Sequence, residues 1–197
     1  MRIFVALDID EAVRERIARF MDGVREFAPD ARWVRPESLH VTLKFIGEQP
    51  DPKVEQISRA LSQVHGPEIQ ISFQGYGFFP TAKSARVFWI GIDAPPALSA
   101  LAEAIDAATA SLGIPPEDRA FSPHLTLARA GGGSGSPRRQ KGDSPNRTFQ
   151  RLQEKLSALA GPEFGTMTAR DFFLYRSELQ RGGSRYTKIA RFPLDLK

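Results

Sequence analysis

The sequence predicts a bilobal α+β fold with pseudo-twofold symmetry. Three observations carry that expectation. Short apolar-polar alternations mark strands. Runs with apolar residues every three or four positions mark helices. The resulting β-α-β-α-β order occurs twice, and the word His124-Leu125-Thr126-Leu127 stands 84 residues after His40-Val41-Thr42-Leu43. A repeated word at a constant offset within a repeated element order argues for an internal duplication, over about 2–80 and 86–175, with a closing strand at about 185–192.

The first strand, residues 2–8, is an apolar run, Ile3-Phe4-Val5-Ala6-Leu7. Val13, Ile17, Phe20, Val24 and Phe27 then form a helical face, with Asp10 in the N-cap position. Over 39–46, Leu39, Val41, Leu43 and Phe45 alternate with His40, Thr42 and Lys44, giving a strand with one apolar and one polar face. Asp51-Pro52 opens a second helix through Val54, Ile57, Leu61 and Val64. A strand at Ile69, Ile71 and Phe73 completes the first copy.

Arg86-Val87-Phe88 restarts the pattern, also 84 residues after Arg2-Ile3-Phe4. A helix at about 96–112 follows, stopped by Gly113, and then the strand at 122–127. Residues 130–146 are rich in glycine, serine and proline and are expected to be a flexible loop inserted in the second copy. A helix at 148–159 and strands at roughly 164–175 and 185–192, turning at Gly182-Gly183, close the chain. Each copy is expected to offer one sheet face to helices and the other to its partner.

Composition narrows the chemistry. The 197 residues include no cysteine, which excludes thiolate metal sites and a cysteine nucleophile and fits a cytoplasmic protein. No apolar run approaches a membrane span. The formal charge of +4 permits an anionic partner without requiring one. Basic residues concentrate late: six against one acidic residue over 129–151, and five against one over 176–191. Both segments suit a phosphate chain, or simply a solvated surface.

Side chains at i and i+2 of a strand share a face, so His40 lies with Thr42 and His124 with Thr126. If the copies meet across a pseudo-dyad, two imidazoles and two hydroxyls line one cleft. A neutral imidazole takes a proton while an imidazolium gives one, and hydroxyls donate to non-bridging phosphate oxygens. That set suits in-line displacement at a phosphodiester. Two histidines without carboxylates at ligand spacing are too few for a metal site, and no Gly-x-Ser-x-Gly supports a serine nucleophile. The third histidine, His65, ends a helix beside Gly66-Pro67 and reads as a surface residue.

With these words in place, the chain resembles the two-histidine (2H) phosphoesterases, and among them the RNA 2′,3′-cyclic phosphodiesterases also called 2′-5′ RNA ligases. FVALDID at the start, LHVTLKFIGE at 39–48, SPHLTLAR at 122–129 and the late LYRSEL and RYT carry the resemblance over essentially the whole chain. It implies two antiparallel sheets around a central cleft. It also implies metal-independent, cofactor-free opening of an RNA terminal 2′,3′-cyclic phosphate to a 2′-phosphate, with reversible 2′-5′ ligation. By the same resemblance His40 and His124 are catalytic, with His124 the base and His40 the acid. Thr42, Thr126 and Arg129 bind phosphate, and Phe45 stacks on a base. Phe45 and Arg129 stand at odd offsets from their histidines, so an ideal strand turns both away from the cleft unless it bulges, twists or ends before them. The expected partner is RNA with a cyclic phosphate terminus or a related nucleotide, met by a monomer without a membrane. Two other readings stay open: a catalytically idle RNA- or nucleotide-binding protein, and a 2H hydrolase of small cyclic nucleotides such as an ADP-ribose cyclic phosphate.

Overall fold

In the computed structural model, which describes residues 1–131 and 147–195, nine strands and four α-helices follow one another among the described residues. They are β1 (Arg2–Leu7), α1 (Glu11–Val24), β2 (Ala31–Trp33), β3 (Val41–Glu48), α2 (Asp51–Leu61), β4 (Ile69–Phe79), β5 (Val87–Asp93), α3 (Pro96–Ala110), β6 (His124–Ala130), α4 (Gln150–Ser157), β7 (Glu163–Ala169), β8 (Asp171–Gln180) and β9 (Gly183–Pro193). The loop expected over 130–146 falls outside the described residues except for Ala130 and Gly131, and Ala130 is the last residue of β6.

The strands make two antiparallel sheets, β3-β1-β8-β9 and β2-β6-β5-β4-β7. Neither sheet belongs to one half of the chain. β4, from the first half, pairs with β5, and β8, from the second half, pairs with β1. The helices cross over as well. α1 packs against β7, where Phe20 meets Phe164 at 5.1 Å, and α3 packs against β3. The two sheets therefore exchange strands between the halves of the chain.

Most predicted elements appear where expected. α1 buries Val13, Ile17, Met21 and Val24, spaced by three and four, each worth about 1.5–3 kcal/mol when fully buried. Asp10 sits at its N-cap, although its side chain makes no capping bond. Three differences are instructive. The apolar run at 164–175 is two strands, β7 and β8, which enter different sheets on either side of Arg170. β4 runs six residues past Phe73, through glycines and aromatics that lack a clean alternation. β2 is only three residues long, too short to leave a period.

The fourth difference concerns the repeat itself. Phe4 lies opposite Phe45, whereas Phe88 lies opposite Ala128 and Val87 opposite Arg129. The 84-residue offset that relates β3 to β6 is therefore 83 between β1 and β5. A slip of one residue turns a strand over. Phe4 faces the cleft, while Phe88 is fully buried on the opposite, helix-covered side with Phe78 and Phe149.

Candidate active site

β3 and β6 are the strands of the two sheets that approach each other directly. They place the two His-x-Thr words on facing walls. Each histidine is anchored in the same way. His40 Nδ1 donates to the Ser38 carbonyl at 2.8 Å, and His124 Nδ1 donates to the Ser122 carbonyl at 2.8 Å. A carbonyl only accepts, so the neutral tautomer carries its proton on Nδ1 and leaves Nε2 as the basic atom. Thr42 Oγ1 lies 3.0 Å from His40 Nε2 and donates to it when the ring is neutral.

The bulges in β3 and β6 settle where Phe45 and Arg129 point. Opposite β1, Thr42 pairs with Ala6, Lys44 with Val5 and Phe45 with Phe4, leaving Leu43 as an extra residue. Opposite β5, Thr126 pairs with Trp89 and Arg129 with Val87, leaving Leu127 extra. Each bulge inverts the alternation beyond it. Phe45 thus shares the face of Thr42 and is 50% exposed, and Arg129 shares the face of Thr126. The same inversion corrects the expected polar face of β3. Lys44 does not lie beside His40 and Thr42. It points into the helix-covered side, 3% exposed, where its Nζ meets Asp106 Oδ1 at 2.7 Å and the Pro115 carbonyl at 2.8 Å.

The environments of the two histidines differ. The His40 ring is enclosed by Phe4 at 4.9 Å, Tyr186 edge-on at 5.1 Å and Tyr175 at 6.3 Å. Burial holds its imidazole below the ordinary histidine value, reinforced by the charges of Arg129 and Arg14 and opposed by the Ser38 bond and Asp8. Arg129 comes from the opposite sheet, whose strand β6 contacts β3 directly. His124 stands edge-on to Phe79 at 5.1 Å and 6.3 Å from Trp89.

Two residues that the motifs do not reveal support His40. Arg14, on α1, donates to the Pro36 carbonyl at 2.6 Å and to Asp8 Oδ1 at 2.7 Å. It thereby ties down the turn at 36–38 whose last carbonyl holds His40. Asp8 also takes a bond from Lys188 on β9. Burial pushes the Asp8 carboxyl up, but Lys188, the Ile9 amide and Arg14 outweigh it and hold the group below its ordinary range. A cavity of about 370 Å³ opens here beside His40, lined by Asp8, Glu37, Tyr175, Tyr186 and Lys188 among others. Arg14 and Asp8 look in sequence like ordinary helix-surface and strand-end charges. Only their long-range partners distinguish them. His65 is exposed beyond the end of α2, on neither motif strand.

His40 should titrate below pH 6.5. The folded protein disfavours its charged form, so the unfolded chain binds that proton more readily and acid favours unfolding. The stability linked to a neutral His40 is present above pH 6.5 and is lost as pH falls through the folded pKa. An NMR titration of the His40 ring protons, alongside urea denaturation from pH 5 to 8, measures both. A midpoint at or above 6.5 would contradict the enclosure described.

A family model described as LigT like Phosphoesterase matches the chain twice, over residues 7–89 and 90–186. The chain belongs to the LigT-like phosphoesterase family. Similar proteins cover nearly its full length. One, the RNA 2′,3′-cyclic phosphodiesterase of Methanothermobacter thermautotrophicus, is 33% identical over 196 residues, covering 98% of this chain and 99% of the relative. Another protein of that name, from Archaeoglobus fulgidus, is 32% identical over 192 residues, at 98% and 99% coverage. Among solved structures, E. coli LigT complexed with 3′-AMP superposes with a TM-score of 0.76 at 26% identity, covering 98% of this chain and 97% of that one. The protein TT0787 of Thermus thermophilus gives 0.73 at 28% identity, with 98% and 97% coverage. In this LigT-like phosphoesterase the two antiparallel sheets follow the fold of those solved structures. Among the described residues no helix is long and apolar enough to cross a membrane.

Proposed function

We propose that this protein opens the terminal 2′,3′-cyclic phosphate of RNA to a 2′-phosphate by two-histidine acid–base catalysis, without a metal ion. The observation that carries the reading is the matched anchoring of His40 and His124. Both present Nε2 as the working atom from facing strands, each with a threonine two residues on. The names of the relatives agree with it.

In the proposed step His124 Nε2 takes a proton from water as its oxygen attacks phosphorus in line. The bond from phosphorus to the 3′ oxygen breaks, and His40 gives its Nε2 proton to that oxygen. The 2′-phosphate remains. Thr42, Thr126 and Arg129 hold the non-bridging oxygens, and Phe45 offers its exposed ring to the terminal base, a contact worth roughly 1–3 kcal/mol. His40 and Thr42 work as a pair. While His40 is neutral, the Thr42 hydroxyl is spent on its Nε2. Once His40 is protonated, Nε2 becomes a donor and the hydroxyl is released to the phosphate. The phosphate's negative charge favours the imidazolium, countering the burial that depresses His40 in the free protein. With an RNA 5′-hydroxyl in place of water, the same steps form a 2′-5′ linkage, and their reversal cleaves one.

An oligoribonucleotide ending in a 2′,3′-cyclic phosphate, incubated with and without EDTA, tests this directly. The expected result is equal turnover in both, with phosphorus NMR identifying a 2′-phosphate. Loss of activity in chelator, or a 3′-phosphate product, would overturn the mechanism. A mononucleotide cyclic phosphate and an ADP-ribose cyclic phosphate, run in parallel, show whether the substrate is an RNA end or a small nucleotide.

A further inference from the structure

Trp89 lies on the cleft face of β5, opposite Thr126 on one side and Gly77 of β4 on the other. A Cβ at Gly77 would collide with the indole ring, so the absence of a side chain there is what lets the ring lie across β4. Phe79, two residues along β4, closes one edge with ring centroids 5.0 Å apart. Both rings stand beside His124, at 6.3 and 5.1 Å. The indole Nε1 is buried without a hydrogen-bond partner among the described residues. A buried unpaired donor costs about 1–3 kcal/mol, so stability alone would favour a phenylalanine at this position. The position nevertheless carries the largest π surface available. The equivalent place on the other sheet is arranged differently. There the central strand carries Ala6, opposite Phe173 of β8, and Lys188 Nζ sits over the Phe173 ring at 4.2 Å.

We infer that Trp89, with Phe79, forms a second nucleobase platform, on the His124 side of the cleft. It would hold the nucleoside whose 5′-oxygen occupies the nucleophile's position next to His124. Phe45, on the opposite wall, would hold the nucleoside that bears the cyclic phosphate. The inference rests on the two-histidine reading proposed above and adds the residues that would hold the second nucleoside of the 2′-5′ linkage named there. The site would then accept two nucleosides flanking one phosphorus, as in a 2′-5′-linked dinucleoside phosphate. Stacking suits this task because every base has a π face, so the platform selects for a second nucleoside without selecting its sequence. It also keeps an arriving 5′-hydroxyl beside His124 Nε2, the atom that takes its proton.

The test compares two probes by fluorescence and calorimetric titration. One is adenylyl-(2′→5′)-adenosine, which fills both platforms. The other is adenosine 2′,3′-cyclic monophosphate, which needs only one. In the wild-type protein the dinucleoside phosphate should quench indole emission, and Trp89→Phe should abolish most of that quench. In Trp89→Leu the Kd ratio of dinucleoside phosphate to cyclic mononucleotide should rise about tenfold, the scale of one lost base stack. Trp89→Phe should restore most of it. Gly77→Ala, which tilts the ring without removing it, should raise the ratio in the same direction. An unchanged ratio, whether both affinities fall together or neither moves, would overturn the inference and leave Trp89 a structural residue. Each titration is read before measurable turnover, with chromatography of the titrated sample confirming that the probe is intact. If the wild-type protein fails to open the cyclic mononucleotide or oligonucleotide, the catalytic reading falls, and the Kd ratio still decides the platform.

Discussion

Replacing His124 by alanine should lower turnover of an RNA 2′,3′-cyclic phosphate by roughly 10²–10⁴, the contribution of one positioned proton-transfer group, and His40→Ala should do the same. The two losses should not add in the double variant, because either deletion leaves the other histidine without a concerted partner. The fold should survive both changes. Each ring spends its Nδ1 on a carbonyl two residues away in its own segment, and such a bond nets only about 0.5–1.5 kcal/mol. His40→Ala carries the larger structural cost, since it also opens the pocket formed by Phe4, Tyr175 and Tyr186. Single-turnover assays with circular dichroism melts separate the effects. A variant of either histidine that kept near-wild-type turnover would rule out the acid–base pair.

The second large effect concerns stability and lies outside the cleft. Asp106→Ala should destabilise the protein toward the lower end of the about 3–5 kcal/mol that breaking a buried ion pair costs. The Lys44 side chain is only 2% exposed, and the loss of Asp106 strips an ammonium of its closest anion. Two partners soften the loss: the Pro115 carbonyl at 2.8 Å and Glu117 Oε1 at 3.4 Å. Lys44→Met should cost less than Asp106→Ala. It removes the buried charge itself, and the Asp106 carboxylate left behind still accepts the Glu117 amide and is 24% exposed. Urea denaturation of the two variants gives the comparison. A more stable Asp106→Ala than Lys44→Met would show that the ion pair is not what holds α3 to β3. Lys44 adjoins Leu43, the extra residue of the bulge, so Asp106→Ala should be assayed for binding only well below its melting point.

The chain's order of elements was legible because each leaves a local signature. The four helices and the motif strands fall within a few residues of their expected places. Where a signature is short or mixed, as in β2 or the second half of β4, there is no period to detect. The site was legible for a different reason. His-x-Thr recurs at one fixed spacing, and two of the three histidines belong to it. Arg14, Asp8 and Trp89 were not legible. Arginine on a helix, aspartate at a strand end and tryptophan in an apolar run are ordinary in isolation. Their partners lie on other elements: Pro36 for Arg14, Lys188 for Asp8 and Gly77 for Trp89.

By itself the sequence determined which residue types repeat and which elements carry them: two strands, each with a histidine and a threonine on one face. That much follows from backbone geometry, since i and i+2 share a face in any strand. Which way Lys44, Phe45 and Arg129 point was decided only by the tertiary structure. An ideal strand sends Phe45 and Arg129 to the core. The extra residues at Leu43 and Leu127 send both to the cleft and turn Lys44 inward to Asp106. A bulge is a property of a strand pair, defined by two residues opposing one, and it has no expression in a single strand's alternation. The exchange of β4 and β8 between sheets is likewise a property of pairing. The contact between β3 of one sheet and β6 of the other, which brings the two motif strands together, has no expression in either strand's own sequence.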